Sequence, residues 1–139
     1  MTAETIRFRD LDTFTRSYVE AALFTSHDES DESGYCLDRN HDAEDIAPET
    51  LAEMANDCRK FQEANAEWIT EENYVVQSEY SAEDMAGYDF WLTRNGHGSG
   101  FWNGNWAEEA GDALTKASEA YGGYHLYLGD DGKIYGHNG

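Results

Sequence analysis

The sequence predicts one α+β domain over residues 1–139, in which about three helices pack against a small antiparallel sheet of three or four strands in the C-terminal half. Its 139 residues suit a single hydrophobic core, and 40% of them are hydrophobic. An apolar stripe at helical spacing runs along residues 48–69, whereas the turn pairs Asn95-Gly96 and Asp131-Gly132 each stand between strand-like runs. These patterns place helices early in the chain and hairpins late in it.

The first half of the chain predicts two helices separated by a polar loop. Apolar residues recur at helical spacing over residues 11–24, with Asp10 available as a cap. The acid-rich stretch 25–45 has no such period and is expected to be a loop, ordered or mobile. The second helix is expected to run from Pro48 to about residue 69, since proline suits a first helical turn. Its apolar stripe comprises Leu51, Met54, Ala55, Cys58, Phe61, Asn65 and Trp68.

The second half predicts strands and a further helix. Residues 70–87 show at most short helical pieces, whereas residues 88–93 (YDFWLT) alternate like a strand. Asn95-Gly96 is a strong hairpin signal, and Phe101-Trp102 would begin the returning strand.

The last third of the chain predicts a helix followed by a second hairpin. The helix is expected over residues 106–121, with Asn105 as its cap. Strands are expected at 124–128 and 133–135, on either side of the Asp131-Gly132 turn.

The charge of the chain disfavours several classes of function. Nine Lys and Arg stand against 29 Asp and Glu, which gives a net charge of −20. Nucleic acids and anionic membranes are disfavoured as direct partners, since both bind basic residues and repel acidic ones. No apolar run approaches the ~20 residues of a transmembrane helix, and no signal peptide is visible. We therefore expect a cytoplasmic protein in which Cys36 and Cys58 are reduced and Cys58 is buried and inert.

The acidic residues are the strongest candidate binding feature. On the second predicted helix carboxylates recur four residues apart, a spacing of about 6 Å that approximates two phosphate steps of one DNA strand. Such a surface can occupy a basic groove in place of nucleic acid. The alternative is that the acids solvate the surface or adapt the protein to high salt. The candidate partner-binding residues are Glu49, Glu53, Asp57, Glu63 and Glu67 of the helix, with Asp28, Glu29, Asp31 and Glu32 of the loop.

The stretch 89–102 (DFWLTRNGHGSGFW) is the densest motif in the sequence. Its simplest interpretation is a hairpin whose aromatic side chains fill the core. The alternative is a polar cluster of Asp89, Arg94 and His97 that binds a ligand or performs acid–base chemistry. Arg94, His97 and Trp102 are also candidates for additional contacts with a partner.

No metal, cofactor or enzyme class is predicted. His27, Cys36 and His41 lack the spacing of a zinc site, and the acids that follow residue 27 do not match a calcium-binding loop. Loose, low-affinity binding of cations by residues 28–32 stays open as an alternative. His125 and His137 are interpreted as residues of a strand and of the tail rather than as ligands.

The motif DFWLTRNGHGSGFW resembles the signature of small acidic proteins that bacteriophages and prophages encode, usually without assigned function. The likeness extends to DESDESG at 28–34, LDRN at 37–40, DIAPETL at 45–51 and LYLGDDGKIY at 126–135. It implies a phage accessory protein acting in the cytoplasm of a bacterial host, and it brings no catalytic residues with it. A fainter likeness, limited to the charge and the aromatic–glycine pattern, is to antirestriction proteins.

The sequence therefore predicts a phage-encoded inhibitor of a host nucleic-acid-handling protein, such as a CRISPR effector, a restriction enzyme or a DNA-binding regulator. The acids would act as a DNA mimic in a basic groove, without direct contact to nucleic acid or membrane, and a homodimer is compatible with this role. Two alternatives stay open. One is a small enzyme or ligand-binding protein that uses Asp89, Arg94 and His97, and the other is a phage accessory interaction protein without mimicry.

Overall fold

The computed structural model of the chain describes residues 7–26, 37, 42–76 and 78–138. Within these residues the fold is α+β, with four α-helices and a two-stranded antiparallel sheet in the C-terminal part. The helices are α1 (Thr13–Thr25), α2 (Pro48–Asn65), α3 (Ala82–Arg94) and α4 (Glu108–Glu119). The strands are β1 (Tyr124–Leu128) and β2 (Ile134–Asn138), and single 3₁₀ turns cover Phe8–Asp10 and Ala43–Asp45.

The first two predicted helices are confirmed, with small shifts at their ends. Helix α1 is capped by Asp12 rather than Asp10, because the Asp12 carboxylate accepts a hydrogen bond of 2.9 Å from the Thr15 amide. Helix α2 begins at Pro48 as expected and ends at Asn65, four residues before the predicted end. Most of the 25–45 loop lies outside the described residues.

The predicted hairpin at 88–102 is wrong, because residues 88–94 belong to α3. Every residue from Asp89 to Arg94 is buried, so this part of the helix has no polar face and shows no helical period in the sequence. Ser81 caps the start of the helix by accepting from the Asp84 amide at 3.2 Å.

The Asn95-Gly96 pair ends α3 instead of turning a hairpin. Gly96 has a φ of 68°, and the His97 amide donates to the Leu92 carbonyl at 3.0 Å. This six-to-one hydrogen bond across a left-handed glycine is the Schellman arrangement that commonly terminates helices. The expected return strand at Phe101-Trp102 is a turn, so the described residues hold two strands rather than three or four.

The C-terminal elements largely match their predictions. Helix α4 covers less than the expected 106–121, and Asn105 is not its cap, since the helix starts at Glu108 with no side-chain cap. Strands β1 and β2 flank the predicted Asp131-Gly132 turn in antiparallel register. The Ala47 amide also donates to the Ile134 carbonyl at 2.8 Å, which ties the segment before α2 to β2.

An aromatic core joins the helices. The rings of Phe61 on α2 and Phe90 on α3 stack with centroids 4.1 Å apart, and Phe14 of α1 packs within 6.0 Å of both. Such pairs add about 0.5–1.5 kcal/mol each beyond the area that they bury. Among the described residues, no helix has the length and apolar character needed to cross a membrane.

Gly87 permits the close approach of α3 to α1. A Cβ atom at this position would overlap the carbonyl oxygen of Phe14, a backbone atom that cannot move without the helix. We expect Gly87→Ala to lower the free energy of unfolding by about 1–3 kcal/mol, although alanine favours helices. Urea unfolding measures this loss. Gly98→Ala, where a Cβ would meet nothing within 4 Å, is the matched control, and equal stability of the two variants would contradict the packing argument.

Candidate functional site

The acidic residues of α2 do not form an uninterrupted row. Glu49, Glu53 and Glu63 are exposed, whereas the side chain of Asp57 is 22% exposed and binds Arg94 at 3.0 Å. Glu67, which was predicted on this helix, is exposed but lies beyond the end of the helix at Asn65. The outer face of α2 also carries two exposed basic residues between Asp57 and Glu63. One of them, Arg59, pairs with Glu63 at 3.3 Å, and the other is Lys60. The middle of the helix is therefore partly neutralised, and its exposed acids lie mainly towards its two ends.

The four candidate acids of the loop, Asp28, Glu29, Asp31 and Glu32, lie outside the described residues. The same holds for His27, Cys36 and His41, so the expectations about a disulfide or a metal ion there stay predictions. Cys58 is fully buried on α2 as expected. Burial raises the pKa of its thiol well above the usual range, which keeps the thiol protonated and unreactive.

Arg94 is a buried arginine at the end of α3, and its side chain is 1% exposed. Its Nη1 donates to the Tyr18 hydroxyl and to the Asp57 carboxylate, both at 3.0 Å. Its Nε donates to the Gly122 carbonyl at 2.8 Å, and its Nη2 donates to the Tyr121 carbonyl at 3.3 Å. These contacts engage all three nitrogens of the guanidinium inside the protein, which leaves Arg94 in no position to contact a partner in this structure.

Asp89 is buried on α3 and takes no part in the hydrogen bonds of Arg94. Its residue is 1% exposed, and its Oδ2 accepts a hydrogen bond of 2.9 Å from the indole nitrogen of Trp106. Burial raises the pKa of this carboxyl to about 6, and the indole hydrogen bond opposes the shift without cancelling it. Asp89 therefore anchors Trp106, two residues before the start of α4.

The proposed polar cluster of Asp89, Arg94 and His97 is not assembled among the described residues. No described hydrogen bond or ion pair joins any two of the three side chains. His97 is half-buried and belongs to the C-terminal cap of α3, where its amide bonds to Leu92. Trp102 is 48% exposed and remains available for contact with a partner.

Comparisons with protein families and with known proteins give no information about this site. No protein-family model matches the chain. Comparisons with curated proteins and with solved structures also found no match.

A second acidic surface, which the sequence prediction did not single out, connects α2 to α3. We call residues 66–81 the acidic connection. Over the longer stretch 61–93 the chain has no Lys or Arg. The acids of that stretch are Glu63, Glu67, Glu71, Glu72, Glu79, Glu83, Asp84 and Asp89, and only Asp89 among them is buried. The absence of basic residues was visible in the sequence and is the signal that could have identified this surface.

The acidic connection also exposes apolar side chains. Val75 is 56% exposed, Val76 is 37% exposed and Tyr80 is 52% exposed. The Glu71 carboxylate accepts from the Ala82 amide at 3.0 Å. The Val75 amide donates to the Asn105 carbonyl at 2.9 Å, which ties the connection to the segment before α4. Exposed apolar residues rimmed by charge are typical of a surface that contacts another protein.

A cleft of about 740 Å³ opens beside Tyr80, between α1 and the start of α3. Its apolar lining includes Phe24 and Met85, and the acids Glu20, Asp42 and Asp84 also line it. The Ser17 hydroxyl donates to Asp84 at 2.6 Å across this region. The described residues contain no group of three or more His, Cys, Asp or Glu side chains that is arranged to hold a metal ion.

Proposed function

We propose that this protein is a phage-encoded inhibitor that binds a basic, nucleic-acid-handling protein in the cytoplasm of a bacterial host. Its carboxylates take the places of phosphates in the groove of a CRISPR effector, a restriction enzyme or a DNA-binding regulator. The observation that carries the proposal is the set of exposed acids on the acidic connection, which lies in a stretch of the sequence without Lys or Arg. The likeness of the 89–102 motif to phage-encoded acidic proteins supports the setting.

The physical mechanism is electrostatic steering followed by occupation of the groove. A net charge of −20 attracts a basic surface over a distance of about one Debye length, which is about 10 Å at 0.1 M salt. Glu67, Glu72 and Glu79 supply exposed carboxylates on the acidic connection, and Glu49 and Glu53 extend the charge along α2. Asp57 contributes less, because Arg94 already neutralises it inside the protein.

The triple charge reversal Glu67→Lys, Glu72→Lys and Glu79→Lys tests this proposal. We expect the wild-type protein to capture a nucleic-acid-handling protein from bacterial lysate at about 0.1 M salt, and duplex DNA to displace it. The triple variant is expected to lose this capture by tenfold or more, since each reversal replaces attraction by repulsion.

The matched control reverses three exposed acids elsewhere, Asp112, Glu119 and Asp130, and changes the net charge by the same amount. Capture by the control variant is expected to fall far less. If both triple variants behave alike, net charge alone governs the interaction and the acidic connection is not the contact surface. If the wild type retains nothing that DNA displaces, the mimicry proposal is wrong.

An interaction protein without mimicry is the second candidate function, and the exposed Val75, Val76 and Tyr80 favour it. A partner held mainly by apolar contacts would resist displacement by DNA and by 0.5 M salt, because salt screens charges but does not weaken apolar burial. Capture that survives both treatments, and is lost in Val75→Ser with Tyr80→Ser, would support this function over the first.

A further inference from the structure

The outer face of the β1–β2 hairpin carries two histidines side by side. His125 on β1 and His137 on β2 are direct cross-strand partners in the antiparallel register. Both side chains are exposed, and the centroids of their rings are 5.6 Å apart. Neither residue has a role in the proposed inhibition, and neither belongs to the core.

The ring spacing matches what a shared metal ion requires. Two imidazole nitrogens that each lie about 2.1 Å from one metal ion place their ring centroids about 5 Å apart. The observed separation of 5.6 Å is within reach of that value by a small rotation of two exposed side chains. The strand pairing fixes the two backbone positions, so little chain ordering accompanies binding.

The hydrogen bonding of His137 prepares one ring for coordination. Its Nδ1 lies 3.2 Å from the backbone carbonyl oxygen of Asn138. A carbonyl oxygen can only accept, so this hydrogen bond requires the proton on Nδ1 and leaves the Nε2 lone pair available. Histidines that bind metals commonly donate their second ring nitrogen to a carbonyl in this way, which fixes the tautomer.

Aromatic neighbours enclose one side of the pair. The ring of Tyr127 lies 5.6 Å from that of His137, and Tyr127 stacks on Tyr135 at 5.9 Å. These rings restrict the orientations of His137. The net charge of −20 further raises the local concentration of divalent cations.

We propose that His125 and His137 form a two-histidine site for a divalent transition metal ion of the zinc class. Imidazole is a favoured ligand of Zn²⁺, Ni²⁺ and Cu²⁺, whereas Mg²⁺ and Ca²⁺ prefer oxygen ligands. Water completes the coordination, and the ion links one residue of each strand. The site is independent of the proposed inhibition and of the acidic connection.

A titration of the full chain with ZnCl₂ at pH 7.5 tests the proposal, with calorimetry for affinity and NMR of the imidazole nitrogens for location. We expect one equivalent of Zn²⁺ to shift the ring signals of both His125 and His137, in the presence of excess Mg²⁺. His125→Ala and His137→Ala should each weaken Zn²⁺ binding by tenfold or more. Both side chains are exposed, so the variants are expected to fold. His97→Ala, which removes a histidine on another element, is the matched control and should bind as the wild type does.

Two outcomes would overturn the proposal. In the first, both histidine variants bind Zn²⁺ with the wild-type affinity. In the second, Mg²⁺ at equal concentration displaces the Zn²⁺. Either result would mean that carboxylates of the acidic surface hold the ion diffusely, without a histidine site.

Discussion

Replacing Arg94 with methionine is expected to lower the free energy of unfolding by about 3–5 kcal/mol. The substitution keeps an unbranched chain in the core but removes every donor of the guanidinium. Four acceptors would then lose their hydrogen-bond donor: the Asp57 carboxylate, the Tyr18 hydroxyl and the carbonyls of Tyr121 and Gly122. A buried acceptor left without a partner destabilises a protein by about 1–3 kcal/mol, and of the four only the hydrogen bond to the Tyr18 hydroxyl is fully buried, so the other three contribute less. Urea unfolding followed by tryptophan fluorescence measures the change.

Arg59→Met is the matched control for this prediction. Arg59 also pairs with an acid of α2, but its side chain is 58% exposed and that of Glu63 is 66% exposed. Exposed pairs four residues apart on a helix contribute only about 0.3–0.5 kcal/mol, so this variant should unfold close to wild type. If Arg94→Met is no less stable than Arg59→Met, the buried network does not stabilise the fold.

The second large effect is a pH dependence that comes from Asp89. Burial raises the pKa of this carboxyl from 3.8 to about 6, so ionisation costs more in the folded protein than in the unfolded chain. The folded state binds the proton more tightly, and stability from this group is fully present below pH 3.8. It is lost as the pH rises through 6, by about 3 kcal/mol in total.

Asp89→Asn removes this dependence and keeps an oxygen that can accept from the Trp106 indole. Relative to wild type, the variant is expected to gain about 2 kcal/mol in unfolding free energy between pH 4 and pH 7. Only the change of the unfolding free energy with pH tests this prediction, because the buried amide of the variant alters that free energy by the same amount at every pH. Asp112→Asn, at an exposed position of α4, makes the same change in net charge and should show no such trend. If the unfolding free energies of wild type and Asp89→Asn change with pH in parallel, the prediction is wrong.

Elements with one buried face could be predicted from the sequence. Helices α1, α2 and α4 each alternate buried and exposed positions, and β1 and β2 flank a turn pair with a defined geometry. Helix α3 was missed because it is buried nearly all round from Asp89 onward, which erases the helical period. The Asn95-Gly96 pair predicted a hairpin but ends α3, because a glycine with a left-handed backbone occurs both in hairpin turns and at helix C-termini.

Some features of the candidate sites could be predicted from the sequence, and others could not. The pairing of Asp57 with Arg94 joins residues 37 positions apart, and no local spacing signals such a contact. The acidic connection could have been found, because the absence of Lys and Arg from 61–93 is a property of the sequence alone. The facing of His125 and His137 does not follow from the predicted turn. A two-residue turn at Asp131-Gly132 would place Leu126 opposite His137, whereas the observed loop holds three residues, 130–132, and shifts the register by one.

The arginine at the end of α3 also has a consequence for how the protein folds. One guanidinium bonds to a side chain of α1, to a side chain of α2 and to the backbone between α4 and β1, and it lies over the ring of Tyr124 at 5.5 Å. None of these elements can leave without exposing the same buried cation. We therefore expect these segments to unfold together, as one cooperative unit, rather than helix by helix.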